Sequence, residues 1–137
     1  PAAPPGGAGL DVLVVEDNED AATTLADLLG LVGHRVKTVS TGRAGVDAAE
    51  TEPPDVLICD VGLPDMSGHD VVRAIRARER GRRIYAVALT GYALPEDREA
   101  ALAAGFDAHL RKPPPLPELR LLLAEGERRR AASEAAP

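Results

Sequence analysis

Carboxylate, hydroxyl and ammonium side chains follow four short apolar runs in this sequence. Glu16 and Asp17 come directly after VLVV, and Asp60 follows VLIC. Thr90 follows AVAL, and Lys112 follows HLR. Carboxylates are ligands that suit Mg²⁺, while a hydroxyl and an ammonium can bind the oxygens of a phosphate. Brought together, these groups describe a carboxylate that accepts a phosphoryl group with the help of a metal ion.

Each of these residues, taken alone, has an ordinary structural explanation. An aspartate after a strand often begins a turn or caps a helix, and acidic residues are common in the first turn of a helix. A threonine at a strand end can satisfy its own hydroxyl, and a lysine is usually solvated. Phosphoryl chemistry is therefore indicated only if the elements that carry the residues bring them to one place.

Five apolar runs alternate with five helical patterns, which indicates a parallel sheet covered by helices on both faces. The runs are LDVLVV, RVKTV, DVLIC, IYAVALT and AHLRK. The first helical pattern has Ala22, Leu25, Leu29 and Val32 on its inner face and ends at Gly33, and the second spans 42–50. The third is marked by Val71, Val72 and Ile75, and the fourth runs from Pro95 to Gly105. The fifth begins at Pro117 and has Leu119, Leu122 and Leu123 on its inner side.

The charge of each run predicts its place in the sheet. The first, third and fourth runs are almost wholly apolar, as strands buried on both faces should be. The second and fifth carry Arg35, Lys37, His109 and Arg111, and charged short strands belong at sheet edges. We therefore predict an α/β doubly wound five-stranded parallel sheet in the order 2-1-3-4-5, flanked by five helices. Its ligand site lies beyond the carboxyl ends of strands 1 and 3.

The composition limits the classes of function. The 137 residues carry a net charge of -6 with no Trp, so we expect no direct contact with nucleic acid, which demands a basic face. No apolar run is long enough for a membrane helix, so we expect no membrane contact by this segment. The single cysteine, Cys59, cannot form an internal disulfide, which indicates a reducing, cytoplasmic setting.

The two ends of the sequence differ in composition from the rest. Residues 1–9 are only Pro, Gly and Ala and are expected to form a flexible linker. Residues 10–125 are expected to form the domain. Residues 126–137 are expected to be a helix end and tail, in which the arginines at 128–130 are solvated.

Residues 10–125 resemble the receiver domain of two-component response regulators, the chemotaxis-type phosphoacceptor domain. The resemblance rests on Glu16-Asp17, on DVGLPDMSG from Asp60 to Gly68, on Thr90-Gly91 and on Lys112-Pro113. Any one motif is weak, but their order and their places at the strand ends make the set specific.

The resemblance implies a phosphoacceptor rather than an enzyme. Asp60 would accept the phosphoryl group of a histidine kinase or a histidine phosphotransfer domain, and the domain would switch conformation to signal. The residues implied to bind Mg²⁺ are Glu16, Asp17, Asp60 and, through its backbone carbonyl, Gly62; those implied to bind the phosphoryl oxygens are Thr90 and Lys112.

Three departures from the usual family pattern affect these expectations. The family couples the hydroxyl of Thr90 to an aromatic residue on strand 5, but that position is His109, so we expect a weaker switch. Position 62 often bears a side chain and here is glycine, which affects the access of water to the phosphate. Three prolines follow Lys112, a stiffer run than usual that affects the entry to the last helix and not the chemistry. By resemblance, the bond between Lys112 and Pro113 is cis. A homodimer through the face of strand 4, helix 4 and strand 5 is a further implication.

The whole protein is expected to be a bacterial hybrid sensor histidine kinase, anchored to the membrane elsewhere in its chain if at all. VLVVEDNEDAA and the Pro/Gly leader carry this resemblance. A stand-alone response regulator and a phosphate-independent pseudo-receiver are the alternatives. A phosphatase of the haloacid dehalogenase type would need an aspartate where Gly62 stands, and a flavodoxin-like FMN carrier would need a Gly/Ser/Thr loop in place of EDNED.

Overall fold

The computed structural model describes residues 9–91 and 94–135, so nearly all of the predicted linker lies outside the described residues. Strands and α-helices alternate along the chain as predicted. A short 3₁₀ helix, Glu79–Arg83, was not predicted. The strands are β1 (Asp11–Val15), β2 (Arg35–Val39), β3 (Val56–Asp60), β4 (Tyr85–Thr90) and β5 (Ala108–Arg111), and the helices are α1 (Glu19–Leu31), α2 (Gly42–Thr51), α3 (Gly68–Arg76), α4 (Pro95–Ala104) and α5 (Leu116–Ala135).

The five strands form one parallel sheet in the order β2-β1-β3-β4-β5, which confirms the predicted topology. Every residue of β3 and β4 is buried, whereas all five residues of β2 are exposed or half-buried. At the opposite edge, β5 buries Leu110 alone among its four residues. The burial of apolar strands in the centre and the solvation of charged strands at the edges explain this order.

Two hydrophobic cores cover the sheet because successive side chains of a strand point to opposite faces. Leu13 and Leu57 pack with α2 and α3 on one face, and Val14 and Ile58 pack with α1 and α5 on the other. Helices thus pack against both faces of the sheet. The positions of the strand ends are therefore fixed by the packing of both cores.

The end of α1 corrects one expectation. Val32 was assigned to the inner face of this helix, but it is 41% exposed. The helix ends at Leu31, and Val32 forms its C-cap, where the backbone leaves the helical repeat before the side chain reaches the core. Gly33 follows with a φ of 94°, a left-handed conformation that turns the chain toward β2.

Helix α5 continues unbroken across residue 125 to its end at Ala135. The arginines at 128–130 were expected to be solvated, but two of the three make contacts with the rest of the domain. The Arg129 guanidinium lies 4.5 Å from the ring centre of Tyr85, and Arg130 donates to a backbone carbonyl before β1, whereas Arg128 is largely exposed. No helix within the described ranges is both long and apolar enough to cross a membrane.

Candidate functional site

The ends of four strands bring the predicted site residues to one edge of the sheet. Asp60 and Thr90 are the last residues of β3 and β4, Glu16 directly follows β1, and Lys112 directly follows β5. The Lys112 backbone N–H donates to the Thr90 carbonyl at 2.8 Å, so the pairing of β5 with β4 extends to the site. The peptide bond between Lys112 and Pro113 is cis, as predicted.

Three carboxylates at this edge form a group that could hold a metal ion. Oxygen atoms of Glu16, Asp17 and Asp60 lie within 4.8 Å of one another. Glu16 and Asp60 are 3% and 5% exposed, while Asp17 is open to solvent. Oxygen ligands with an open side for water molecules are the arrangement that Mg²⁺ favours. Gly62 follows in the loop, and its N–H donates to Asp60 Oδ1 at 3.1 Å.

Lys112 reaches into the acidic group. Its Nζ lies 2.7 Å from Glu16 Oε1 and 2.8 Å from Asp60 Oδ2. One ammonium among three carboxylates leaves an excess of two negative charges. Two carboxylates about 4 Å apart repel each other by about 4 kcal/mol at an effective dielectric constant near 20. A divalent cation would remove this repulsion, so the donor set fits Mg²⁺.

Burial and ion pairing shift the pKa values of these groups. Burial raises the pKa of Glu16, and the hydrogen bond from Lys112 opposes that shift only in part. Burial disfavours the charged form of Lys112, but its hydrogen bonds to Asp60 and Glu16 together outweigh burial and raise its pKa. Burial also raises the pKa of the Cys59 thiol, so Cys59 acts as a packing residue rather than a nucleophile. Lys112 therefore stays charged at neutral pH and offers a fixed positive charge beside Asp60.

The loop after β3 is held by contacts that the sequence analysis missed. Asp65 accepts hydrogen bonds from the backbone N–H groups of Gly42 and Arg43 at 2.8 and 2.9 Å, and these bonds lower its pKa. Asp65 thus ties the loop to the start of α2. Gly68 packs against the backbone of Asp60, where a Cβ would lie 2.5 Å from the Asp60 carbonyl oxygen. This close approach explains the glycine of the motif.

Thr90 contacts the second residue of the predicted switch. Its Oγ1 lies 2.7 Å from Nε2 of His109 on β5. His109 is half-buried and lines a cavity of about 420 Å³ whose other walls come from the start and the exposed side of α4. The hydroxyl at the end of β4 is therefore connected directly to the surface formed by α4 and β5.

An apolar cavity of about 430 Å³ opens beside Lys112 and Glu16. Its walls are α1 and the proline-rich turn after β5. The cavity could not be predicted from the sequence, because it exists only where two distant segments meet. Its apolar lining is Ala21, Leu25, Leu28, Leu89, Pro113 and Pro114.

Several solved structures have this fold, and one of them holds a metal ion. The sequence model of the response regulator receiver domain matches residues 12–124. The receiver domain of the sensor histidine kinase PA1611 from Pseudomonas aeruginosa PAO1, with magnesium in its active-site cleft, is 39% identical with a TM-score of 0.80; the match covers 87% of this chain and 98% of that one. The receiver domain of Ssk1, solved with the Saccharomyces cerevisiae histidine phosphotransfer protein Ypd1, is 26% identical with a TM-score of 0.81, over 87% and 89% of the two chains.

Curated relatives differ greatly in length. An uncharacterized 14.6 kDa protein of Leptolyngbya boryana is 37% identical over 116 residues, which are 84% of this chain and 88% of that protein. The sensor histidine kinase GacS of Pseudomonas protegens is 37% identical over 105 residues, which are 74% of this chain but 12% of the kinase. The same domain therefore occurs in relatives that consist of little else and in much longer kinases.

Proposed function

Because this chain belongs to the response regulator receiver domain family, whose members are signalling modules rather than enzymes, we propose that it accepts a phosphoryl group on Asp60. One observation carries the proposal. The buried Asp60 carboxylate lies 2.8 Å from the Lys112 ammonium, inside a group of three carboxylates that fits Mg²⁺. With Mg²⁺ bound to the acidic cluster and the Lys112 ammonium at one oxygen, the Asp60 carboxylate is equipped to accept a phosphoryl group.

The reaction is the transfer of a phosphoryl group from a phosphohistidine to Asp60. A carboxylate oxygen forms a bond to phosphorus as the N–P bond breaks, and the histidine leaves with that electron pair and takes up a proton. Lys112 already contacts Asp60 Oδ2, so its ammonium is placed to bind an oxygen of the incoming group. Mg²⁺ would offset the charge on the phosphoryl oxygens; its ligands would be Glu16, Asp17, Asp60 and the Gly62 carbonyl.

Thr90 and Gly62 fit a switch better than a hydrolase. The Thr90 hydroxyl is proposed to bind a phosphoryl oxygen and thereby to change its contact with His109, which passes the signal to the surface of α4 and β5. Gly62 offers no side chain where a dehalogenase-type phosphatase has its acid–base aspartate. Without such a group the acyl phosphate is hydrolysed slowly, and it persists long enough to act as a signal.

The phosphoryl donor is proposed to be a histidine kinase or a histidine phosphotransfer domain. The apolar cavity between α1 and the turn after β5 lies directly beside Lys112, so apolar side chains of a donor helix seated there would bring its histidine near Asp60. We place the domain in the cytoplasm and in a hybrid sensor histidine kinase, a context that the similarity to GacS supports. The stand-alone alternative is supported by the 14.6 kDa relative, and a homodimer through β4, α4 and β5 stays a further proposal.

Labelling with acetyl phosphate tests the proposed chemistry. The chain is expected to gain one phosphoryl group in the presence of Mg²⁺ and none with EDTA, as followed by intact mass. Asp60→Asn should abolish uptake without loss of fold, because the asparagine side chain has the same shape but is a poor nucleophile. Asp70→Asn is the matched control, since Asp70 is an exposed aspartate paired with Arg73 on α3. Full labelling of the Asp60 variant would disprove the assignment.

A further inference from the structure

The basic residues of this acidic chain are concentrated at one place. Nine of its 16 basic residues are arginines within 73–83 and 128–130. Both segments lie at the amino-terminal ends of the strands, since the 3₁₀ helix shortly precedes β4 and Arg130 contacts the backbone before β1. The acidic site lies at the opposite ends of the same strands. The net charge of the chain therefore conceals a cluster of arginines at the amino-terminal ends of the strands, although six of the nine are paired with carboxylates.

The 3₁₀ helix presents two of these arginines in parallel. With 3.0 residues per turn, side chains at i and i+3 lie above one another, so Arg80 and Arg83 share one side. The helix is fixed because Arg76 Nη1 donates to the carbonyls of Gly81 and Ile84 at 2.8 and 2.6 Å. No carboxylate among the described side chains lies within 4.0 Å of the Arg80 or Arg83 guanidinium, in contrast to the paired arginines of α5.

Arg80 and Arg83 line a cavity of about 210 Å³ together with two arginines of α5. Arg130 is held in place there by Glu134 at 2.9 Å and by Asp55 at 3.5 Å. Four guanidinium groups and two carboxylates line the cavity. Arg129 is in addition paired with Glu125 at 2.8 Å, so the guanidiniums without a carboxylate partner among the described side chains are those of Arg80 and Arg83. The α5 arginines are fixed by their partners, whereas no described carboxylate pairs with these two arginines of the 3₁₀ helix.

We propose that this cavity binds a small ligand that carries a phosphate monoester. A guanidinium is planar, and its paired N–H groups match two oxygens of one phosphate, which a lysine cannot do. The two positive charges of Arg80 and Arg83 match a monoester, which carries about -1.5 to -2 at neutral pH. The four guanidiniums surround one small space instead of following a line, as the evenly spaced phosphates of a nucleic acid would require. The surface therefore fits a compact anion better than a long one.

Isothermal titration of adenosine monophosphate into the full chain tests this inference, with EDTA present so that no divalent ion can carry phosphate to Asp60. Saturable binding of the monophosphate and of inorganic phosphate is expected, with none for adenosine. Arg80→Ala and Arg83→Ala should each weaken binding at least about tenfold, because each removes charge-assisted hydrogen bonds. Arg82→Ala is the control: Arg82 has the same charge and lies on the same 3₁₀ helix but does not line the cavity, so a change of less than about twofold is expected.

Several outcomes would overturn the inference. Absence of saturable binding of both monophosphate and inorganic phosphate up to about 10 mM would remove its basis. An equal loss in Arg82→Ala would show unspecific attraction to the cluster of arginines. Tighter binding of a short DNA duplex or an acidic peptide would assign the surface to a macromolecule instead. Because none of these variants touches Asp60, labelling by acetyl phosphate should be unchanged in all of them, and failure of one proposal leaves the other standing.

Discussion

Replacement of His109 by tyrosine tests whether the contact between Thr90 and His109 opposes the response to phosphate. Thr90 Oγ1 lies 2.7 Å from His109 Nε2, and this contact is lost if the hydroxyl turns to a phosphoryl oxygen. A hydrogen bond of this kind contributes about 0.5–1.5 kcal/mol net, which corresponds to a factor of about 2 to 13 in the ratio of two states. Burial beside α4 also stabilises the small, polar imidazole of His109 less than it would stabilise the ring of a tyrosine at this position.

The expected result is a larger response in the variant. A ligand shifts two states only by its differential affinity for them, so a state that loses a hydrogen bond is populated less for the same phosphate. With beryllofluoride and Mg²⁺ as the phosphoryl mimic, the fraction of chains in the switched conformation should increase about fivefold in His109→Tyr, as long as this fraction is small in the parent. Amide chemical shifts of β4, α4 and β5 measure it.

Two controls decide whether the contact itself is responsible. His69→Tyr changes another half-buried histidine, which packs edge-on against Phe106 with ring centres 6.4 Å apart, and it should leave the response unchanged. In a double-mutant cycle with Thr90→Val, the part of the effect that comes from the contact should disappear and only the part from burial of the ring should remain, because the hydroxyl is already absent. Equal responses in the parent and in His109→Tyr would refute the reasoning, as would an effect of His109→Tyr that is equally large without the Thr90 hydroxyl.

Two further predictions concern stability. Gly68→Ala should lower the free energy of unfolding by about 1–3 kcal/mol, because the added Cβ would lie 2.5 Å from the Asp60 carbonyl oxygen. Gly62→Ala is the control: a Cβ there would have no atom within 4 Å, so the free energy of unfolding should change by less than about 0.5 kcal/mol. Equal losses of stability for the two variants in chemical denaturation would contradict this prediction. Burial lowers the pKa of His34, whose Nδ1 accepts a hydrogen bond from the Leu10 N–H at 2.9 Å. The unfolded chain therefore binds a proton at His34 more readily than the folded chain, so the free energy of unfolding should fall as the pH drops through about 6.5. His34→Gln can keep that bond and should flatten the pH profile; an unchanged profile would exclude His34 as the cause.

The order of the strands and the convergence at their ends could be predicted because both follow from local patterns. Apolar runs belong in the centre of a parallel sheet, and parallel topology then places Glu16, Asp60 and Lys112 at one edge without any further information. The contacts made by loops could not be predicted in this way. Asp65 binds N–H groups 22 and 23 positions away, and nothing in a single sequence distinguishes such a cap from an ordinary turn residue.

Charge was the property that composition represented worst. A net charge of -6 led to the expectation that nucleic acid would not bind here, and the same reasoning would exclude any other anion. The potential at a surface, however, depends on the charges within about one Debye length, which is about 8 Å at physiological ionic strength. Carboxylates around Asp60 at one end of the strands therefore do not neutralise arginines at the other end. The segment 73–83 is visibly basic in the sequence, but only the fold brings it next to 128–130. One sheet thus has a cluster of carboxylates at one end of its strands and a cluster of arginines at the other, and the binding proposed for each cluster has to be judged from the charges near it.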